Sequence, residues 1–222
     1  MKQMNGFAWF HLVWISLLVV AFGPAIAVAS TGEELIRPIQ ERWAEIKYRA
    51  PEAQQAEQYR ALAIQARKLV ESNPRLAEAL IWEGIVLSSE AGARGGLGAF
   101  SLVKEARDRL EEALKIDEKT LSGSAYTSLA TLYAKVPGWP IGFGDKERAE
   151  DYFKKSLAIN PAGIDPNFFY GEYLLERGRG KDARAYLDAA LKAPPRPGRE
   201  LADSGRRKEI LALLDKLDKE SK

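Results

Sequence analysis

Hydrophobic residues recur along this chain at helical intervals. Between Glu33 and Tyr48, the residues Leu35, Ile39, Trp43 and Ile46 fall on one stripe of a helix. From about Asp203 to Lys219, Ile210, Leu214 and Leu217 form another stripe and the remaining face is charged. Between these two, four segments share one pattern: Leu62 to Pro74, Ala106 to Glu118, Ala149 to Pro161 and Ala183 to Pro195. The last three read ARDRLEEALKIDE, AEDYFKKSLAINP and ARAYLDAALKAPP. Each opens on a small residue, has a large apolar one four positions later, and a second small one three after that. Ala149, Phe153 and Ser156 therefore match Ala183, Leu187 and Ala190, at an offset of 34 residues. Small residues on such a stripe let a neighbouring helix approach closely. No segment alternates with the two-residue period of a strand. The pattern predicts an all-α chain of about nine or ten helices, repeated in pairs.

The segment ahead of each such helix supplies its partner. In the last unit Tyr170-Gly171, Leu174 and Gly178 precede Ala183, and a glycine beside a bulky residue leaves room for the second helix. Asp165-Pro166 reads as the N-cap and first residue of that partner helix, since proline lacks only an amide proton that would go unused there. Tyr170, Gly171, Leu174, Gly178, Ala183, Leu187, Ala190 and Pro195 all stand at the signature places of a tetratricopeptide repeat (TPR), which this unit resembles. The repeat's usual Trp is Asn167 here. The resemblance implies a helical-repeat solenoid with units at about 33–74, 75–118, 119–161 and 162–195. Spacings longer than the last unit's predict two enlarged inter-helix loops, Ala91 to Gly98 and Val136 to Asp145. The helix over 203–219 suits a cap, apolar inside and polar outside.

The first 29 residues carry a different pattern. Lys2 precedes a mostly apolar run, Phe7 to Phe22. Gly23-Pro24 breaks it, and Ala27-Val28-Ala29 offers the small-x-small motif of a signal-peptidase site. Residues 1–29 are therefore expected to be a cleaved signal peptide and 30–222 an exported, periplasmic domain. The alternative is an uncleaved anchor, because Phe7 to Ala29 is just long enough to cross a bilayer when tilted, and a membrane association follows only in that case. No Cys follows the segment, so no lipobox is present.

Composition narrows the chemistry further. The chain has 222 residues, no Cys, two Met and one His; Met1, Met4 and His11 all lie in the leader. The expected mature domain thus has no thiol or imidazole for nucleophilic catalysis, for thiolate or imidazole metal sites or for disulfides. We expect no catalytic residue, no metal and no cofactor. Carboxylate pairs are the remaining route to hydrolysis. Glu83 and Glu172 each flank a repeat glycine, but no spacing sets two carboxyls at a glycosidase's separation. A charge of +2, from 33 basic and 31 acidic residues, points to neither nucleic acid nor an anionic membrane as partner.

Candidate binding residues come from one loop and one face. The loop Val136-Pro-Gly-Trp-Pro-Ile-Gly-Phe-Gly-Asp145 holds Trp139, Ile141 and Phe143 among three glycines and two prolines. These side chains either form an apolar lip that touches a ligand or partner, or fold back and plug a gap between helices. Asp145 reads as the N-cap of the following helix. The glycine-rich stretch Ala91 to Gly98 lacks the Gly-Lys-Ser/Thr ending of a phosphate loop and reads as a spacer. Repeat geometry puts the first helix of each unit on the inner surface. Counted from each glycine, this assigns Phe168, Glu172 and Leu175, and Ile81, Ile85 and Ser88, to the inner face. They are exposed there or they are ordinary core.

Three phrases point to a narrower family: VPGWPIGFGD (136–145), NPAGIDPNFFYGEYLLERG (160–178) and APPRPGRELADSGRR (193–207). The run from Ala125 to Glu209 resembles the TPR-like T-component associated with tripartite (TRAP) transporters. That resemblance implies a helical solenoid with cryptic repeats, a hydrophobic cavity open to ligands, and assembly with an extracytoplasmic solute-binding protein. The family's well-known form is a lipoprotein, and this chain has no Cys to carry the lipid. Two readings follow. One is a periplasmic binding component that passes a hydrophobic or organic-acid ligand to a TRAP-type solute-binding protein, with a deep apolar cavity lined by Trp139, Phe143 and Phe168. The other is a protein-interaction scaffold with a filled interior, an exposed groove and no transporter link. A homo-oligomer is compatible with both.

Overall fold

The computed structural model describes residues 31–220. The expected signal peptide lies outside the described residues. Nine α-helices follow in order: α1 Gly32–Arg49, α2 Glu52–Ser72, α3 Ala77–Arg94, α4 Ala99–Ile116, α5 Ser124–Lys135, α6 Lys146–Ile159, α7 Ile164–Glu176, α8 Gly180–Leu191 and α9 Glu200–Glu220. A short 3-10 turn, Thr120–Gly123, precedes α5. Among the described residues there is no strand, only an isolated bridge between Gly138 and Gly144. The fold is all-α.

Local chemistry sets several of the helix ends. Thr31 and Glu34 form a reciprocal capping box at α1: Thr31 N donates to the Glu34 carboxylate (2.9 Å) and Glu34 N to Thr31 Oγ1 (3.3 Å). The Asp145 carboxylate accepts from Glu147 N and Arg148 N, both at 3.0 Å, and so caps α6. Asp165 does not act the same way. Helix α7 begins at Ile164 with Gly163 as its cap. Ile164 is buried, and its apolar side chain draws the helix start inward. Asp165 therefore sits inside the first turn with its carboxylate free for other partners. The expected loop over 91–98 is also shorter than its spacing implied. Ala91 is buried, Glu90 pairs with Arg94 one turn later (2.6 Å), and α3 runs on to Arg94. The extra length there is mostly helix.

Each even helix packs on the odd helix before it. The repeat glycines make this possible at two equivalent places. A Cβ on Gly84 would stand 2.7 Å from Leu110 Cγ and 3.1 Å from the Ala106 carbonyl; one on Gly171 would stand 2.9 Å from Leu187 Cγ and 3.4 Å from the Ala183 carbonyl. The same glycine, alanine and leucine thus meet in two hairpins. The odd helices also touch one another in sequence, α1 to α3, α3 to α5, α5 to α7 and α7 to α9, and α9 returns to α1. Five helices therefore close a ring. Helix α9 buries Ile210, Leu214 and Leu217 against α7 and α8, as its stripe predicts. Its first half is not a polar outer face: Asp203 and Arg206 are buried there too, facing the interior.

Candidate functional site

The ring surrounds a cavity of about 720 Å³ that is partly open to solvent. That falls in the size range of pockets that hold small ligands. Trp43 and Tyr48 from α1, Tyr59 from α2, Trp82 from α3 and Phe169 from α7 supply its aromatic lining. Trp43 meets Trp82 edge-to-face at 6.0 Å and Tyr48 at 6.1 Å, and its indole nitrogen donates to Ser89 Oγ at 2.8 Å. These contacts fix the ring faces. Helices α3 and α5 add hydroxyls, among them Ser88, Ser128 and Thr131. Ser88 and Thr131 donate their protons back to carbonyls one turn earlier, Gly84 O at 2.7 Å and Thr127 O at 2.9 Å. Each keeps acceptor lone pairs for other donors.

The 3-10 turn contributes Leu121 and Ser122 to the same lining. Both hold left-handed backbone angles, φ 48° and 55°, and Gly123 follows at 76°. Left-handed residues other than glycine cost about 1–2 kcal/mol each. That strain is concentrated at the cavity wall.

The lead-in to α9 and its first turns bring three arginines to the cavity, Arg196, Arg199 and Arg206. Arg196 pairs with Asp165 (2.7 Å) and Asp203 (2.6 Å). Arg206 pairs with Asp165 (3.0 Å) and Glu209 (2.7 Å), and its guanidinium lies over the rings of Phe168 and Phe169. Tyr48 Oη donates to Glu209 at 3.2 Å, and Lys47 stands 3.5 Å from the same carboxylate. Burial alone pushes the Asp165 carboxyl up, but Arg206 and Arg196 outweigh it and hold its pKa at about 2. Burial raises the Tyr48 and Tyr59 phenols. Arg199 is different. Its guanidinium lies 5.0 Å over the Trp82 ring, and burial, then the like charge of Arg196, lower its pKa.

The residues expected to bind are dispersed. Ile85 and Ser88 line the cavity. Ile81 is fully buried in the main core, and Phe168 is buried against Leu187, Ala190 and Ile210, so neither is an exposed inner position. Glu172 turns away to Lys135 on α5, at 3.3 Å. The loop 136–145 splits the two roles proposed for it. Phe143 folds back, edge-on to Tyr133 at 5.4 Å and under Arg107 at 4.8 Å. Trp139 and Ile141 project from the tip, 90% and 69% exposed. None of Trp139, Phe143 and Phe168 lines the cavity. The aromatic and arginine residues that do line it come from α1, α2, α3, α7 and the α9 region, too far apart along the chain for a local pattern to group them. The one local signal was Arg196, Arg199 and Arg206 grouped around Asp203 within a dozen positions.

Other sites are less complete. A depression of about 660 Å³ beside Pro195, Arg207 and Leu211 is walled by α9 and its lead-in alone, and no second element closes it. Glu83 is fully buried between Arg67 (3.3 Å) and Arg109 (2.9 Å), and burial raises its pKa despite both arginines. This ion pair ties α2, α3 and α4 together and faces no cavity. Among the described residues no group of three His, Cys, Asp or Glu could hold a metal ion, and no helix is long and apolar enough to cross a membrane. No protein-family model matches the chain, and no curated protein sequence matches it.

Proposed function

We propose that this is an exported TPR-like binding protein that carries a small organic ligand inside its helical ring and associates with a TRAP-type solute-uptake system through that system's solute-binding protein. The observation that supports it is the ring of helices around an aromatic-lined cavity, in place of a filled interior. The matched glycine contacts at Gly84 and Gly171 support the repeat reading. Trp139 and Ile141 at the tip of a tightly folded loop supply a partner surface apart from the ligand. Shape and contact do this work, and no group in the cavity needs to act as a nucleophile.

Native mass spectrometry of the protein purified from the periplasm tests the reading. We expect the folded chain to carry extra mass that is released on denaturation. A bare polypeptide mass, together with no association with a TRAP-type solute-binding protein in cross-linking, would count against it.

A further inference from the structure

The part of the cavity wall that a solute can reach differs from its full lining. Tyr59 and Trp82 are 2% and 4% exposed, so both rings are sealed behind the surface. The partly exposed lining is more polar. Helix α5 presents Ser124, Ser128 and Thr131 at intervals of four and three, on one stripe of the helix. Neighbouring α3 adds Ser88, and α1 adds Gln40. All five side chains are uncharged.

Their hydrogen-bonding capacity is largely unused. Ser88 and Thr131 donate to carbonyls one turn earlier and keep acceptor lone pairs. Among the described residues, Ser124, Ser128 and Gln40 make no side-chain hydrogen bond, and their polar atoms are not among the buried ones without a partner. They are therefore open to whatever fills the cavity.

The nearby charges are already answered. Asp165 lies between Arg196 and Arg206, Arg196 also holds Asp203, and Glu209 takes Arg206 and Lys47. Arg199 is set against the Trp82 ring, and its unpartnered Nε is buried. Glu33 and Glu52 border the cavity with exposed carboxylates, which repel an anion. An acid would thus meet paired cations and two like charges. A greasy ligand would strip water from the hydroxyl stripe and replace none of its bonds, and each polar group left dry weakens binding about 5-fold or more. A polyol avoids both costs, because each of its hydroxyls can donate to Ser88 and Thr131 and either donate to or accept from Ser124, Ser128 and Gln40. Ile85, Leu121 and Phe169, partly exposed in the same lining, offer apolar surface to the C–H faces of a sugar ring.

We propose that the cavity binds an uncharged saccharide along the wall formed by α3 and α5. This rests on the cavity reading above and names the ligand class.

Calorimetric titration of the purified protein with glucose, galactose, maltose and trehalose tests it, with glucuronate and octanoate as controls. At least one saccharide should bind one to one, and both controls about 10-fold more weakly or worse. Ser128→Ala alone should weaken the saccharide about 5-fold, the value of one neutral hydrogen bond. Ser128→Ala with Thr131→Val makes the α5 stripe apolar. The pair should weaken the saccharide about 10-fold or more and strengthen binding of the apolar fluorescent probe N-phenyl-1-naphthylamine; a merely structural role would weaken both alike. Failure of all four saccharides, saccharide binding unchanged in the double variant, equal weakening of saccharide and probe, or glucuronate binding as tightly as glucose would overturn the inference. If octanoate binds and the saccharides do not, the cavity reading survives and this one falls; if nothing binds and the native mass is bare, both fall.

Discussion

Gly205 lies flat against the ring of Tyr48: a Cβ built on it would stand 2.3 Å from Cδ1 and 2.5 Å from Cγ. This is the place where α9 returns to α1 and closes the ring. Tyr48 has little freedom to move aside, because its hydroxyl donates to Glu209 and its ring meets Trp43 edge-on. Gly205→Ala should therefore push the two helices apart and destabilise the fold by about 1–3 kcal/mol, the usual cost of overpacking. Urea denaturation measures the loss. The same substitution made together with Tyr48→Ala should add almost nothing to the cost of Tyr48→Ala, since the added methyl then meets open space. Additive costs would show that the contact does not close the ring.

Acid should open the same seam. The Asp165 carboxyl is held at about 2 between Arg206 and Arg196, below its ordinary 3.8. A depressed carboxyl contributes stability that is fully present above its unfolded pKa and is lost as pH falls through its folded pKa. The window therefore runs from about pH 4 down to about pH 2, and the loss is about 2 kcal/mol. Asp165→Asn should remove most of that pH dependence. It should also lower stability at neutral pH by about 3 kcal/mol, because two arginines lose a shared partner. Thermal denaturation from pH 7 to pH 2 checks both. An unchanged acid profile in Asp165→Asn would place the effect elsewhere.

Glu83 precedes its repeat glycine and Glu172 follows its own, and the two carboxylates should behave differently. Glu83 is fully buried between Arg67 and Arg109, whereas Glu172 is only partly buried and pairs with Lys135 near the surface. Glu83→Ala leaves two arginines facing a small void and should cost about 3 kcal/mol. Glu172→Ala should cost less than about 1 kcal/mol. Comparing the two by chemical denaturation separates a structural carboxylate from a solvated one. Equal costs would sink the distinction.

What the sequence made legible is local. The Gly171, Ala183 and Leu187 spacing predicts a helix hairpin because all three residues belong to one short unit, and the structure brings them into contact. Ile210, Leu214 and Leu217 are read correctly for the same reason, since one helical stripe is enough to bury them. Asp165 misleads because its immediate neighbour, Pro166, makes a capping pattern, while its real partners, Arg196 and Arg206, lie far along the chain. Ile81 and Phe168 mislead because an open repeat would leave them on the inner face, whereas Ile81 is buried in the main core and Phe168 is covered by Ile210 and Arg206 of α9. Periodicity carries no information about whether two ends of a chain meet. The cavity, lined by helices from α1 to α9, depends on that closure and leaves no local signature.

The tip of the 136–145 loop should matter for partners and not for folding. Trp139 and Ile141 are exposed, and the loop beneath them is held by its own backbone: Gly144 N donates to Pro137 O at 2.9 Å and Asp145 N to Tyr133 O at 2.9 Å. Trp139→Ala with Ile141→Ala should therefore leave the unfolding midpoint within about 0.5 kcal/mol of the parent. Phe143→Ala is the contrast, because it removes a ring packed on Tyr133 and under Arg107 and should cost about 1–3 kcal/mol. If the tip is the partner surface, the exposed pair should lose association with a TRAP-type solute-binding protein while keeping full ligand binding in the cavity. Phe143→Ala should reduce association only as far as it loosens the loop. A double variant that still associates at full strength would leave Trp139 and Ile141 as exposed apolar residues with no part in recognition.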